Sequence, residues 1–330
     1  NKGVELQLDA IVVDAKDFGL NFNFNISYNR GKIDKLNGSS FWQSSSWAGT
    51  AAAGIEDFLV EEGGRLGEVY GYKTDGFYTA NDFTFDAEKG TYALKEGVND
   101  CSSLIGGKVY PGSIKLKANE DGEYKKERLG NTVPTVSGGF GLNARWKGFD
   151  FTAFFNYSLG NKIVNATKLG SSFYSGSSKN WNINDHFTSA NRYSWIDSST
   201  GTNLLSSASI KANGEAWTIN RLNEINSNAS IWNPAAATVM PLVDWAVEDG
   251  SFLRVNNITI GYTLPKLLVN KLNIQNIRIY VTGYNLHCFT KYSGTDPEVD
   301  CCTSTPMTPG IDYAAYPKSR SFVGGINVTF

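Results

Sequence analysis

The side chains best suited to hold a ligand lie in one long polar stretch, 160–248. Tryptophans stand there among amide and charged side chains, and the candidates are Trp181, Asn182, Asp185, Trp195, Trp217, Arg221 and Trp232. Flat indole rings beside hydrogen-bonding groups suit stacking on sugar rings or binding to peptides. The simpler alternative is that these rings pack against one another inside the stretch. We predict that this stretch carries the substrate-binding residues.

Side chains that could catalyse a reaction are scarce. Asp296 and Glu298 are close in sequence, but a glycosidase acid pair also needs a cleft and a separation of about 5–10 Å. No nucleophile elbow or phosphate-binding loop occurs in the sequence. The stretch 119–122 resembles a calcium loop, but Lys117 and Arg128 stand where that loop needs carboxylates. We therefore predict no catalytic residue, no metal and no cofactor.

Four cysteines, Cys101, Cys288, Cys301 and Cys302, are candidates for disulfide bonds. No Cys-x-x-Cys pair or Cys/His cluster with the spacing of zinc ligands accompanies them. An even number of cysteines in loop-like contexts fits an oxidising compartment. A bond from Cys288 to Cys301 or Cys302 would close a short loop, and free thiols are the alternative.

The elements that must position these residues are β-strands. Apolar residues alternate with asparagine and serine across 20–28, and the same two-residue period recurs in 139–157, 249–265 and 321–330. Such a period gives each strand one apolar face and one polar face. The polar positions that we predict to line a water-filled lumen are Asn21, Asn23, Asn143, Arg145 and Arg278. Solvation alone would also explain the polarity of these positions.

The composition of the whole chain narrows the class of protein. The 330 residues carry a net charge of -2 and have a pI of about 5.8, which gives no sign of a nucleic-acid partner. Charged residues make up 19%, below the roughly 25% of soluble domains. No apolar run approaches the roughly 20 residues of a membrane helix. The composition does not exclude a membrane β-barrel, because the strands of a barrel give a much weaker hydrophobic signal in the sequence than a membrane helix does.

The lengths of the connections between strands favour a barrel. Short connections are predicted at 15–19, 147–148 and 266–276. Long connections are predicted at 31–134, 160–248 and 287–317. Since strand direction alternates, the short ones gather at one end, provided that 31–134 adds an even number of barrel strands or none. Short periplasmic turns and long extracellular loops are typical of outer-membrane barrels.

Aromatic residues gather at the short-turn end too, namely Phe18, Trp146, Phe149, Tyr262 and Phe330. Rings at one level of a sheet resemble the girdle that membrane barrels place at the lipid interface. We predict an all-β fold, a transmembrane antiparallel β-barrel with long extracellular loops. The alternatives are a soluble secreted β-sandwich that binds glycans and an outer-membrane β-barrel enzyme.

Several stretches of the chain resemble one family. The stretch 249–265 is similar to the late-barrel signature of SusC/RagA-type TonB-dependent outer-membrane transporters of Bacteroidetes. Further similar stretches are 1–6, 130–163, 277–299 with its Asp296-Pro-Glu-Val, and 316–330. The resemblance implies that residues 1–330 form the C-terminal part of a barrel of about 22 strands. The plug domain and the N-terminal strands would then lie outside this chain.

The same resemblance implies a role in the outer membrane and no enzymatic activity. Members of the family import nutrients, typically oligosaccharides and in some cases peptides, which a SusD-like lipoprotein captures and delivers as a lid over the barrel. Energy reaches them from TonB through an N-terminal region. The expected partners are this lipoprotein, TonB, the remainder of the barrel, an oligosaccharide or peptide ligand, and membrane lipid. The indole rings of 160–248 would then have the lid as another possible contact.

Overall fold

The chain is built on one seven-stranded antiparallel sheet. The sheet is seen in a computed structural model that describes residues 1–44, 56–174, 182–269, 274–301 and 306–330. In chain order its strands are β1 (Lys2–Asp14), β2 (Phe18–Arg30), β3 (Val136–Trp146), β4 (Phe149–Leu159), β5 (Phe252–Thr263), β6 (Asn276–Thr290) and β7 (Ser321–Thr329). Consecutive strands of this series are neighbours in the sheet. The shortest has 9 residues and the longest 15, so each strand reaches at least the lower end of the roughly 9–11 residues that a tilted membrane strand needs.

Short connections join the strands at one end of the sheet, as predicted. Residues 15–17 link β1 to β2, and only Lys147 and Gly148 link β3 to β4. Both of these residues have positive φ, 45° and 91°, as in the type I′ turn whose twist matches that of antiparallel strands. The connection from β5 to β6 is longer and contains a one-turn helix, Lys266–Val269.

Two of the predicted strand bounds need correction. The strand predicted from 249 begins at Phe252, because Val247–Asp249 forms a separate strand that pairs with Lys162–Asn165. The second correction concerns the end of β6. This strand continues to Thr290, whereas the sequence predicts its end at 286. Side-chain alternation therefore locates the middle of a strand better than its ends, where the chain changes its pairing partner.

The long connections at the other end of the sheet fold into short elements. No described strand between 31 and 134 joins the seven-stranded sheet, so this connection adds no barrel strand there. The short strands are Phe41–Ser44, Glu56–Val60, Glu68–Gly71, Thr74–Phe77, Phe83–Asp86, Thr91–Leu94, Ile114–Leu116, Glu127–Asn131, Lys162–Asn165, Ile196–Asp197, Thr202–Asn203, Val247–Asp249 and Ile311–Asp312. The α-helices of these connections are α1 (Ser102–Ile105), α2 (Ala166–Gly170) and α3 (Ser207–Ile225), and the 3-10 helices are Ala80–Asp82, Pro234–Ala236 and Asp244–Ala246. The one-turn helix between β5 and β6 is α4 (Lys266–Val269). We call the described residues of 31–134 and 160–249 the loop unit.

The loop unit has its own hydrophobic core, to which the seven-stranded sheet contributes no residue. Side chains at its centre are almost fully buried, and they include Phe58, Tyr78, Ile114, Leu169 and Leu222. They come from the connections 31–134 and 160–249, which bury their apolar residues against each other, and Ile311 of the third long connection packs with them. The predicted long loops are therefore folded structures with an interior.

The sequence does not predict helix α3. The stretch 160–248 has no long apolar period, yet α3 covers 19 residues within it. The buried side chains of α3 are Ser209, Ile210, Thr218 and Leu222, so half of them are polar. The apolar stripe that usually marks a helix is therefore missing. None of the helices in the described ranges is long and apolar enough to cross a membrane.

Candidate functional site

One face of the seven-stranded sheet is apolar, and its row nearest the short turns is aromatic. In register across six strands, this row contains Phe18, Trp146, Phe149, Tyr262, Ile279 and Ile326. The ring centroids of Trp146 and Phe149 lie 6.3 Å apart, and those of Phe149 and Tyr262 lie 4.5 Å apart. Four of the five rings predicted at the short-turn end, Phe18, Trp146, Phe149 and Tyr262, thus lie in one row on one face. The fifth, Phe330, follows the end of β7 and is not part of this row.

Apolar side chains further along this face are exposed although they lie within strands. Ile260 is 57% exposed and Val281, its register partner, is 56% exposed. A soluble β-sandwich buries such a face against a second sheet. Exposed apolar side chains in mid-strand are instead what a lipid-facing barrel wall carries. The exposure of this face argues against the soluble sandwich.

The opposite face of the sheet is polar. The residues predicted to line a lumen, Asn21, Asn23, Asn143, Arg145 and Arg278, all lie on it. Asn21 and Asn143 are register partners, and Asn143 Oδ1 accepts a hydrogen bond of 3.1 Å from Thr152 Oγ1. In the same row, the hydroxyls of Thr259 and Thr282 lie 2.8 Å apart. A groove of about 330 Å³ on this face contains Asn21 and Asn143.

The cations on the polar face are paired with carboxylates near the short turns. Arg145 contacts Asp14 across the sheet, and Arg278 Nε donates a hydrogen bond of 2.9 Å to Asp150 Oδ2. Arg278 reaches Asp150 across β5 because Gly261 stands between them without a side chain. A Cβ on Gly261 would lie only 2.3 Å from Asp150 Oδ2. These charges therefore balance locally and leave this part of the face polar but close to neutral.

Among the residues predicted to bind substrate, Trp232 lies in the core of the loop unit. It is 4% exposed, and its Nε1 donates a hydrogen bond of 3.1 Å to the carbonyl oxygen of Ser172. Its ring packs 5.4 Å from that of Phe187 and 5.0 Å from that of Trp245. In this arrangement the face of Trp232 is occupied by protein.

Trp195 and Arg221 are also engaged by the loop unit itself. Trp195 Nε1 donates a hydrogen bond of 2.6 Å to the carbonyl oxygen of Pro111. Arg221, on α3, donates from Nε to Asp197 Oδ2 and from Nη1 to Glu224 Oε2, at 2.6 Å each. Hydrogen bonds from Arg221 and Ser199 hold the pKa of Asp197 well below its usual range. Trp195 thus joins the two long connections of the loop unit, and Arg221 joins α3 to the segment around Asp197.

The remaining predicted binding residues are exposed to solvent, except for one that lies outside the described residues. Trp217 is 44% exposed on α3, and Asn182 and Asp185 are exposed. Trp181 lies outside the described residues. Asp185 lines a polar cavity of about 270 Å³ that does not include Trp217. The structure thus places Trp217 and Asp185 apart, rather than in one pocket.

Lys168, which also lines this cavity, belongs to a buried ion pair that sequence reasoning missed. Lys168 is 7% exposed, and its Nζ lies 3.1 Å from Glu248 Oε1 and 4.0 Å from the centroid of the Trp245 ring. Burial acts to raise the pKa of Glu248, but hydrogen bonds from Ser293 and the charge of Lys168 outweigh it and lower that pKa. Lys168 is far in sequence from Trp245 and Glu248, so no local pattern marks this contact.

Asp296 and Glu298, the close carboxylates of the sequence, both bind Arg254 on β5. Asp296 is 3% exposed, so it does not line an open cleft. Elsewhere in the described ranges, no group of three or more His, Cys, Asp or Glu side chains is arranged to hold a metal ion.

Cys101 and Cys288 are present as free thiols. Cys101 is buried in the core of the loop unit, where burial raises the pKa of its thiol. Cys288 lies on β6 as the register partner of Arg254. Cys302 lies outside the described residues, so a bond involving it stays a prediction.

Sequence comparison relates the whole chain to TonB-dependent receptors. No protein-family model matches it. It is 28% identical over 340 residues to TonB-dependent receptor P3 of Formosa agariphila, and 24% identical over 359 residues to receptor P39 of the same organism. It is 23% identical over 337 residues to TonB-dependent receptor SusC of Bacteroides thetaiotaomicron. Each alignment covers 100% of this chain but only 28%, 30% and 26% of these relatives, so the chain spans less than a third of their length.

Solved structures share the fold. The RagAB peptide importer in its 'open-open' state superimposes with a TM-score of 0.61 at 21% identity, covering 99% of this chain and 28% of that chain. Its 'closed-closed' state gives a TM-score of 0.62 at 21% identity, covering 99% of this chain and 29% of that chain. By their names, the sequence relatives are TonB-dependent receptors and the solved structures are a peptide importer. In sequence the chain is similar to part of TonB-dependent receptors, SusC among them, and in fold it is similar to part of the RagAB importer.

Proposed function

We propose that the chain serves TonB-dependent import of nutrients across the outer membrane. In this proposal, β1 to β7 form part of the barrel wall and the loop unit forms part of its extracellular mouth. The observation that carries it is the two-sided sheet, with an exposed apolar face and a face of amides, hydroxyls and balanced charges. A wall between lipid and water needs both faces. The similarity to TonB-dependent receptors over the whole chain supports the same role.

The remainder of the barrel is the first partner that this function requires. β1 pairs only with β2, and β7 pairs only with β6, so both edges of the described sheet are open. Unpaired backbone groups at an open edge are not tolerated in lipid. We therefore propose that other strands of the same receptor close the barrel. The plug domain and the contact with TonB belong to that remainder as well, and the chain itself performs no chemistry.

For the cargo, we propose an oligosaccharide or a peptide that a SusD-like lipoprotein delivers into the mouth. The similarity in fold to the RagAB peptide importer supports the peptide class. The oligosaccharide class is what the family resemblance of the sequence implies. Trp217, Asn182 and Asp185 are the exposed candidates for contact with cargo or lid in the loop unit. They offer an indole face, an amide and a carboxylate, which suit either class.

Deletion of the whole receptor in its own organism tests this function. The deletion strain and a strain complemented with the full-length receptor are grown with oligosaccharides as the carbon source, and separately with peptides as the nitrogen source. We expect growth to fail on one cargo class and to return on complementation. Mass spectrometry of the complex purified from its membrane should find the same class bound. Unimpaired growth on both classes, together with a purified complex that carries no ligand, would show the proposal to be wrong.

A further inference from the structure

The connection from β6 to β7 turns back onto the polar face of the sheet. We call its described residues, 291–301 and 306–320, the strap. Register places Asn156, Arg254 and Cys288 in one row across β4, β5 and β6, on the same face as Asn25 of β2. The strap lies over this row, since its Asp296 and Glu298 both bind Arg254.

The contact between strap and sheet is a buried network of charges. Arg254 is 4% exposed, and its Nη2 lies 2.5 Å from Asp296 Oδ1 while its Nε lies 2.5 Å from Glu298 Oε2. Lys318 Nζ adds a contact of 2.9 Å to Glu298 Oε2. Asn156 Nδ2 donates a hydrogen bond of 3.5 Å to Glu298 Oε1. Two cations therefore balance two carboxylates, and the guanidinium holds both carboxylates at once.

The strap is also joined to the loop unit. Ile311 is fully buried in the core of the loop unit, and Ile311–Asp312 pairs with Val164 and Asn165. At its other end, Ser293 Oγ donates a hydrogen bond of 2.7 Å to Glu248 Oε1. One segment thus links the inner wall, through Arg254, to the body that stands at the mouth.

We propose that Arg254 is a positioning residue, which holds the strap against the pore wall and thereby fixes the loop unit over the entrance. This inference rests on the proposed import function in one respect, namely that the polar face of the sheet is the wall of the pore. A guanidinium suits this role because its rigid fork engages two carboxylates together, which an ammonium cannot do with the same geometry. Release of the strap would uncover the row that contains Cys288.

Thiol accessibility at Cys288 tests this role in the full-length receptor in intact cells. In a background with Cys301→Ser and Cys302→Ser, a membrane-impermeant maleimide should label Cys288 slowly while the strap is docked. Arg254→Gln should raise the labelling rate by about tenfold or more, since loss of one partner of a buried ion pair strongly disfavours the paired arrangement. Arg254→Lys should fall between the two. Arg145→Gln, an arginine on the same face at the short-turn end, should leave labelling of Cys288 unchanged.

Heat-modifiable migration in detergent shows in parallel whether each variant forms its barrel. If Arg254→Gln does not fold, Glu298→Gln, which keeps the Asp296 contact, takes its place in the same assay. A folded variant whose Cys288 labels at the wild-type rate would overturn the positioning role. Import of cargo is measured separately. A rise in labelling in a receptor that imports neither cargo class would count against the proposed function and leave the strap inference standing.

Discussion

At the scale of single residues, the polar face works by pairing charges rather than by displaying them. Arg278 and Asp150 meet across β5 only because Gly261 has no side chain in the way. Arg221 and Asp197 perform a similar task in the loop unit, where they attach α3 to the turn that precedes it. In both cases an arginine that looks available in the sequence is committed to a carboxylate of the same chain.

Replacement of Gly261 should therefore act through the Asp150–Arg278 pair. In Gly261→Ala the new Cβ would lie 2.3 Å from Asp150 Oδ2 and 2.6 Å from Arg278 Nη2, so both side chains must move. We expect a loss of about 1 kcal/mol, the usual worth of a hydrogen-bonded contact. The measurement is the free energy of unfolding of the purified receptor in detergent.

Gly324→Ala on β7 is the matched control, because its nearest non-neighbouring atom is 4.0 Å away. The ion pair is isolated by repeating Gly261→Ala in an Asp150→Asn background, where the penalty should shrink since neighbouring changes are not additive. An equal penalty in both backgrounds would show that the pair is not what the methyl group displaces.

The pH dependence of stability should carry a contribution from Asp197. Hydrogen bonds from Arg221 and Ser199 hold its pKa below the ordinary value of 3.8 in the folded chain. The unfolded chain therefore takes up the proton first, so this contribution is present above pH 3.8 and is lost as the pH falls below it. Asp197→Asn should be less stable at neutral pH and should lose less of its stability on acidification.

Thermal unfolding midpoints of wild type and variant, followed from neutral pH down to about pH 2, check this expectation. The exposed Asp34 provides the control through Asp34→Asn, which should track the wild type. If the curves of Asp197→Asn and wild type stay parallel at all pH values, the carboxylate contributes no stability of this kind.

At the scale of elements, α3 shows that tertiary contacts can stabilise a helix without an apolar stripe. Its buried face includes Thr218, whose Oγ1 donates a hydrogen bond of 2.7 Å to the carbonyl oxygen of Gly214. Gly214 has φ 78° and ψ 177°, a backbone region that is almost restricted to glycine. The kink thus depends on one residue type, while the position of α3 depends on the core around Leu222.

Gly214→Ala should destabilise the loop unit by about 1–3 kcal/mol, the usual cost of a side chain in this backbone region. No atom lies within 4 Å of the Cβ position, so the penalty is one of backbone strain and not of space. Gly170→Ala in α2 has the same open space without a positive φ and should be nearly neutral. The measurement is the thermal unfolding of both variants. Equal losses of stability in Gly214→Ala and Gly170→Ala would show that backbone strain at Gly214 is not the cause.

At the scale of the whole molecule, the chain combines two bodies that are stabilised by different solvents. The loop unit buries its apolar side chains in a dry core, whereas the sheet shows its apolar side chains on its surface. Burial from water stabilises the first body, and in the proposed function contact with lipid stabilises the second. The strap joins them through Arg254 on the wall and Ile311 in the core.

A lysine scan of the sheet should separate its two faces. Ile260→Lys puts a charge on the apolar face, where a midplane lysine costs about 2–4 kcal/mol. Asn143→Lys adds the same side chain to the polar face and should cost little. Heat-modifiable electrophoresis of the receptor after refolding into lipid vesicles reports the folded fraction. Equal folding of the two variants would mean that the faces do not meet different solvents.

The sequence by itself determined the strands and their faces, because a two-residue period is local and survives without neighbours. The hairpin at Lys147 and Gly148, the aromatic level at the turn end and the family resemblance all follow from such local signals. Only the tertiary structure decided that the long connections share a core, that Trp232 is buried within it, and that Arg254 binds Asp296 and Glu298. These contacts join residues that are far apart in the chain. Such contacts produce no periodic pattern in the sequence, so they cannot be predicted from it in the way that strands can.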